Sequence, residues 1–165
     1  MKTILIALTA VLAAVSAPFA AETPAKDIFR GVTAAKVVWD VTQGDEKKFN
    51  DRMELIGKTA DSLKKRGITP DFVLTIRGPA TKFVTKTLDK TKFEKEKDAV
   101  KNMSGTQANL KKLKDAGIAV EVCAVAMGVQ DVKRDNVQPF IPIVDNVWES
   151  LIVLQNKGYA YMPID

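Results

Sequence analysis

The chain has 165 residues, 25 of them Lys or Arg and 20 Asp or Glu, for a formal charge of +5. It has no histidine and a single cysteine, Cys123. That excludes zinc or copper sites built on His and Cys, and it excludes Ser-His-Asp and Cys-His catalysis within one chain. The charge excess is too small to mark a nucleic-acid binder.

The first residues read as a targeting signal. Lys2 gives a short positive region, Ile4 to Val15 is apolar and uncharged, and small residues follow at Ser16, Ala17, Ala20 and Ala21. That is a secretory pattern, too short to span a bilayer. We expect a signal peptide over 1–20, a lead-in segment over 21–35, and one domain over 36–165. The expected destination is the periplasm, and the processed chain is expected to bind no membrane.

From Lys36 the pattern alternates. Lys36 to Thr42 is predicted as a buried strand. Phe49, Met53, Ile56, Ala60 and Leu63 recur at spacings of four and three, the period of an amphipathic helix, and Gly67 ends it. Asp71 to Ile76 is the second strand, broken by Gly78-Pro79. Ala80 to Leu88 reads as a short helix and Asp89 to Lys101 as a surface loop or loose helix.

Ser104 and Gln107 have capping-box spacing and are expected to open a helix carrying Ala108, Leu110 and Leu113, which Gly117 ends. Ile118 to Val122 is the third strand, running into Cys123, and Ala124 to Val129 a short helix. Phe140 to Val144 is the fourth strand, placed at an edge because Pro142 cannot donate a ladder bond. Asn146 and Glu149 have cap spacing before a helix with Val147, Leu151 and Leu154, which Gly158 closes. Tyr159 to Met162 is the fifth strand, limited by Pro163. Such alternation predicts an α/β fold with a five-stranded, mainly parallel sheet covered on both faces, strands one to three being central.

In such sheets ligands bind beyond the carboxyl ends of the strands. That places Thr42, Gln43 and Gly44 after strand one, Arg77 and Gly78 after strand two, and Cys123 after strand three. Cys123 is the candidate catalytic residue. A thiol at a helix N-terminus gains thiolate character, although the dipole supplies only about 0.3–1 kcal/mol. Arg77 is expected to add to it or to hold an anionic substrate; Thr42, Gln43 and Gly44 are the other candidate substrate-binding residues. Trp39 and Asp40 lie inside a strand, where side chains usually pack, and neither is assigned to the site. The loop Thr42-Gln43-Gly44-Asp45-Glu46 carries two carboxylates that would repel a phosphate, which argues against a flavodoxin-like electron carrier.

The run Gly117-Ile118-Ala119-Val120-Glu121-Val122-Cys123-Ala124-Val125-Ala126-Met127, then Val144-Asp145-Asn146-Val147 and Leu154-Gln155-Asn156-Lys157-Gly158-Tyr159-Ala160-Tyr161, resembles the DsrE/DsrF-like family. The resemblance implies a three-layer α/β/α sandwich and assembly into homotrimers or hexamers. It also implies a persulfide role for Cys123, exchanging sulfur with a donor or acceptor protein. Departures are the signal pattern and Met127-Gly128-Val129-Gln130, where many relay members carry a basic residue and glycine. The expected function is exported sulfur handling, with sulfane sulfur carried or transferred on a partly exposed Cys123. The competing reading is a non-catalytic oligomeric small-ligand-binding protein with a structural cysteine. No cofactor and no metal is expected.

Overall fold

A computed structural model describes residues 27–165; the expected signal segment and residues 21–26 of the lead-in lie outside the described residues. The strands are β1 (Ala34–Val41), β2 (Thr69–Ile76), β3 (Ala119–Cys123), β4 (Ile143–Val144) and β5 (Ala160–Ile164). They form one all-parallel sheet in the order β4-β3-β2-β1-β5. The helices are α1 (Glu46–Lys65), α2 (Met103–Asp115), α3 (Ala124–Val129) and α4 (Val147–Asn156). As expected, the first three strands are interior and β4 is an edge, with β5 the other edge. Pro163 lies within edge strand β5, Pro142 lies just before β4, and interior β2 carries Pro70 next to its first residue.

The main core lies between the sheet and the α1–α2 layer. In β1 the period-two alternation turns Val37, Trp39 and Val41 toward α1. Phe72, Leu74 and Ile76 of β2 and Val120 and Val122 of β3 join them. From the helices come Phe49, Met53, Ile56 and Ala60 of α1, with Leu110 and Leu113 of α2. Trp39 meets Phe72 edge-on at 5.6 Å between ring centroids. On the other face α4 packs against the sheet through Val147 and Leu151, which are buried along with Val38.

Several local expectations change. The cap of α2 is Asn102, whose side chain accepts from the Gly105 N–H at 3.0 Å; Ser104 lies inside the helix, and Ala108 is exposed. The segment after β2 is a 3-10 helix over Gly78–Val84, shorter than predicted, starting at Gly78 with φ +55° and Pro79. β4 keeps only two residues, Ile143–Val144, and Phe140 lies outside it, packed against the core. β5 runs through Pro163 to Ile164: on an edge strand the missing N–H can face away from the ladder. The charge-rich loop holds a short 3-10 turn over Glu94–Ala99 without buried residues, yet it also inserts Phe93 into the core.

That loop is anchored by a buried lysine. Lys82 is 5% exposed. Its ammonium donates to the Gly44 carbonyl at 2.9 Å and pairs with Glu96. It also lies 5.6 Å from the Phe83 ring centroid and 5.3 Å from that of Phe93. A buried cation persists only when its donors are answered, and here a carbonyl, a carboxylate and two ring faces answer them. We expect Lys82→Ala to lower unfolding free energy by about 3 kcal/mol. Lys82→Met, which keeps the packed stem, should cost about 1 kcal/mol. Urea denaturation of the two variants checks the ranking; equal losses would show that the ammonium contacts alone hold the loop and that the packed stem adds nothing.

Candidate functional site

The register of the sheet assembles the site. Ile76 pairs with Val122, so the next residues, Arg77 and Cys123, stand level on adjacent strands. Arg77 is still tied to the sheet through its N–H, which donates to the Val41 carbonyl at 3.1 Å. Both residues line a cleft of about 280 Å³, together with Gly78, Val125, Ala126, Val129 and Gln130 of the α3 region and with Asn146 and Trp148 at the start of α4. Two of its apolar walls, Val125 and Trp148, are 58% and 62% exposed. Among the described residues Arg77 is the sole charged one lining it.

Behind Arg77 lies a polar cluster on the α4 face of the sheet. Asp40 is 3% exposed. Its Oδ1 accepts from Arg77 Nε at 2.8 Å and its Oδ2 from Arg77 Nη2 at 2.7 Å, a side-on bidentate pair. The Tyr161 hydroxyl donates to the same Oδ2 at 2.8 Å. Asp40, Thr75 and Glu121 are register partners across β1, β2 and β3, so a polar row crosses the middle of the sheet. Thr75 satisfies its hydroxyl on the Trp39 carbonyl at 3.3 Å, whereas Glu121 Oε1 is buried without a partner.

The electrostatics follow from this geometry. The hydrogen bond to Asp40 raises the Arg77 pKa; burial opposes it, and Asp40, Tyr161 and Cys123 favour the charged guanidinium further. The bond to Asp40 also holds Tyr161 protonated above its usual range, with burial and the Asp40 charge adding and Arg77 opposing.

Cys123 itself differs from expectation. It is 4% exposed, not partly open, and it caps a helix of only six residues without a side-chain cap bond. A dipole accumulates over aligned peptides, so one and a half turns provide little field. The charged neighbour of the thiol is Arg77. Thr42, Gln43 and Gly44 do not line the cleft. The N–H groups of Thr42 and Gln43 donate to the Ile164 carbonyl at 2.8 and 3.0 Å, tying the loop to β5. Gly44 is a close-approach position: a Cβ there would stand 2.6 Å from Pro79 Cβ. The two acidic residues of that loop are structural. Asp45 caps α1 by accepting from the Lys48 N–H at 2.8 Å, and Glu46 accepts from the Lys101 and Asn102 N–H groups at 2.6 and 2.9 Å. Among the described residues no cluster of three His, Cys, Asp or Glu side chains could hold a metal.

Asp40 and Tyr161 are the members of the site that sequence reasoning did not assign. The available signal was an acidic residue flanked by Val-Val-Trp and Val, which has to be paired if that strand is interior.

The chain has two tyrosines, so their phenolate absorbance can be read directly. Tyr159 donates to Asp71 at 2.6 Å, and that bond pushes its pKa up to about 12. Both tyrosines should titrate above the usual value of about 10 in the folded protein. A raised folded pKa means the stabilisation is complete below about pH 10 and is lost as pH climbs through the folded value. For Tyr159 the window runs up to about pH 12. Asp40→Asn should lower the Tyr161 midpoint and leave Tyr159 unmoved; unchanged midpoints for both would contradict the network.

The comparisons agree with this architecture. The DsrE/DsrF-like family matches over residues 35–164. An uncharacterized protein of Aquifex aeolicus (strain VF5) is 36% identical over 137 residues. The match takes in 82% of this chain and 59% of that protein, so the chain spans under two thirds of its relative's length. The structure of MTH1491, a protein of unknown function from Methanobacterium thermoautotrophicum, superposes with a TM-score of 0.61 at 12% identity. It covers 78% of this chain and 98% of MTH1491, and the likeness is one of fold. With nearly every residue from β1 to β5 inside the family match, the chain belongs to the DsrE/DsrF-like family.

Proposed function

We propose that this protein handles reduced sulfur, carrying or transferring sulfane sulfur as a persulfide on Cys123. The observation that carries the reading is that the chain's one thiol lines the same cleft as a guanidinium held by Asp40, at the carboxyl edge of the sheet. Membership of the DsrE/DsrF-like family supports it. In the proposed step the Cys123 thiolate attacks the outer sulfur of a persulfide or polysulfide. One S–S bond forms on Cys123, one breaks in the donor, and the donor leaves as a thiolate. Release to an acceptor thiol reverses the exchange, so no external oxidant and no second cysteine are needed.

The burial of Cys123 favours a second reading, a packed cysteine beside a small-ligand cleft. Incubation with inorganic polysulfide and intact-mass measurement separates them. The carrier reading predicts an increment of one sulfur atom that is removed by a reducing thiol and absent from Cys123→Ser. The substitution should cost about 1 kcal/mol, because it buries a hydroxyl. A native chain that gains no sulfur while Cys123→Ser only loses stability would establish the packed reading.

We also propose export through a cleaved signal at residues 1–20, on the strength of Lys2, the apolar run and the small residues after it. Among the described residues no helix is long and apolar enough to cross a membrane. Assembly into a homotrimer or hexamer is proposed on the exposed apolar side chains around the α4 face. Trp148, Ile152, Val125 and Val129 are each more than half exposed. Phe140 is not part of that set, since it packs on the core. Light scattering should give three or six times the monomer mass, and a paired Trp148→Glu, Ile152→Glu variant should shift it to monomer. A monomeric native protein at micromolar concentration would contradict this.

A further inference from the structure

We propose that Asp40 is a positioning residue: it holds Arg77 side-on so that the free edge of the guanidinium forms a fixed anion seat beside Cys123. The cleft then selects sulfur donors that carry negative charge next to the reacting sulfur. The choice of donor rests on the sulfur-carrier reading; the anion seat does not.

Three observations lead here. First, Asp40 is engaged on both oxygens. It accepts from Arg77 Nε on one and from Arg77 Nη2 and the Tyr161 hydroxyl on the other, and at 3% exposure it faces these partners and not the solvent, so its part is to grip. Second, Arg77 is not saturated. Among the described residues no hydrogen bond engages its Nη1 group, and its side chain is 31% exposed. A fork gripped on one edge presents its other donors in a fixed plane, which is the geometry that carboxylates and other anions take up. Third, among the described residues no other charged side chain lines the cleft, whose walls are apolar at Val125, Val129 and Trp148 and polar at Gln130 and Asn146. An anion entering there meets one set of directed charged donors.

The arrangement also explains why an ion pair sits on the sheet. A buried pair is often no more stabilising than apolar residues of the same volume, so stability alone does not account for it. A guanidinium without Asp40 would be free to swing into solvent, and the seat would be lost with its geometry.

Alkylation of Cys123 tests this without any sulfur chemistry. Iodoacetate and iodoacetamide share a leaving group and differ in charge. The rate ratio of the anionic to the neutral reagent, normalised to a free model thiol, should be raised about tenfold in the native protein. Arg77→Gln should return the ratio to that of the free thiol. Arg77→Lys should recover part of it, since it restores charge but not the fork. Asp40→Asn should lower it several-fold while Arg77 is still present, with the loss read as weaker saturation by iodoacetate, not as a slower maximal rate. A merely structural role would slow both reagents alike and leave the ratio unchanged. Arg77→Gln strands a buried carboxylate, so the double variant Asp40→Asn, Arg77→Gln supplies the same reading if the single variant does not fold.

The proposal is overturned if the native ratio equals that of the free thiol, if the variants alter both reagents equally, or if native Cys123 resists both. A raised ratio in a chain that takes up no sulfur from polysulfide would sink the carrier reading and leave the anion seat standing. Sulfur uptake without a raised ratio would do the reverse.

Discussion

The site depends on one constraint: a carboxylate placed in the interior of a parallel sheet must be answered. Asp40 is on β1, with β2 on one side and β5 on the other. At 3% exposure it cannot rely on water. Its two oxygens are answered from both neighbours, by Arg77 just beyond β2 and by Tyr161 on β5. The register β1-β2-β3 then does the rest, because a residue one step past Ile76 stands level with one step past Val122. Guanidinium and thiol come together through strand pairing, and the short helix after Cys123 contributes little.

The fold divides its tasks between the two faces of the sheet. The α1–α2 face is apolar and carries most of the large buried cluster, with Trp39, Val41, Phe72, Leu74 and Ile76 of the sheet under Phe49, Met53, Ile56, Leu110 and Leu113. The α4 face is mixed: Val38, Val147 and Leu151 are packed, while Asp40, Thr75 and Glu121 run as a polar row and Trp148 and Ile152 remain exposed. Most of the buried apolar packing is on one side and the polar cluster beside the candidate site on the other. A close-packed core on the first face supplies the rigid support that a gripped side chain on the second requires.

Much of this was legible in the sequence. Helix α1 was readable because Phe49, Met53, Ile56 and Ala60 hold a strict helical period and all four are buried. The edge position of β4 followed from Pro142, and the cleft position of Cys123 from the strand that ends in it. What was missed depends on contacts between distant segments. Asp40 and Tyr161 are 121 residues apart in sequence, and only the β1-β5 pairing makes them neighbours. Thr42, Gln43 and Gly44 share the carboxyl edge but are tied to β5 and Pro79, two strands from Cys123. Asn102 took the cap of α2 because its carboxamide reaches the Gly105 N–H, a choice that spacing alone does not settle between it and Ser104.

Sulfur carriage on Cys123 is the proposal on which the reading of the cleft turns. The most direct measurement is intact-mass and peptide mass spectrometry of the protein as isolated from its host, without reducing agent. The account predicts a fraction of chains with one added sulfur atom, located on the peptide containing Cys123 and released by a reducing thiol. Protein that carries only an unmodified Cys123, under conditions in which the host is metabolising reduced sulfur, would contradict it.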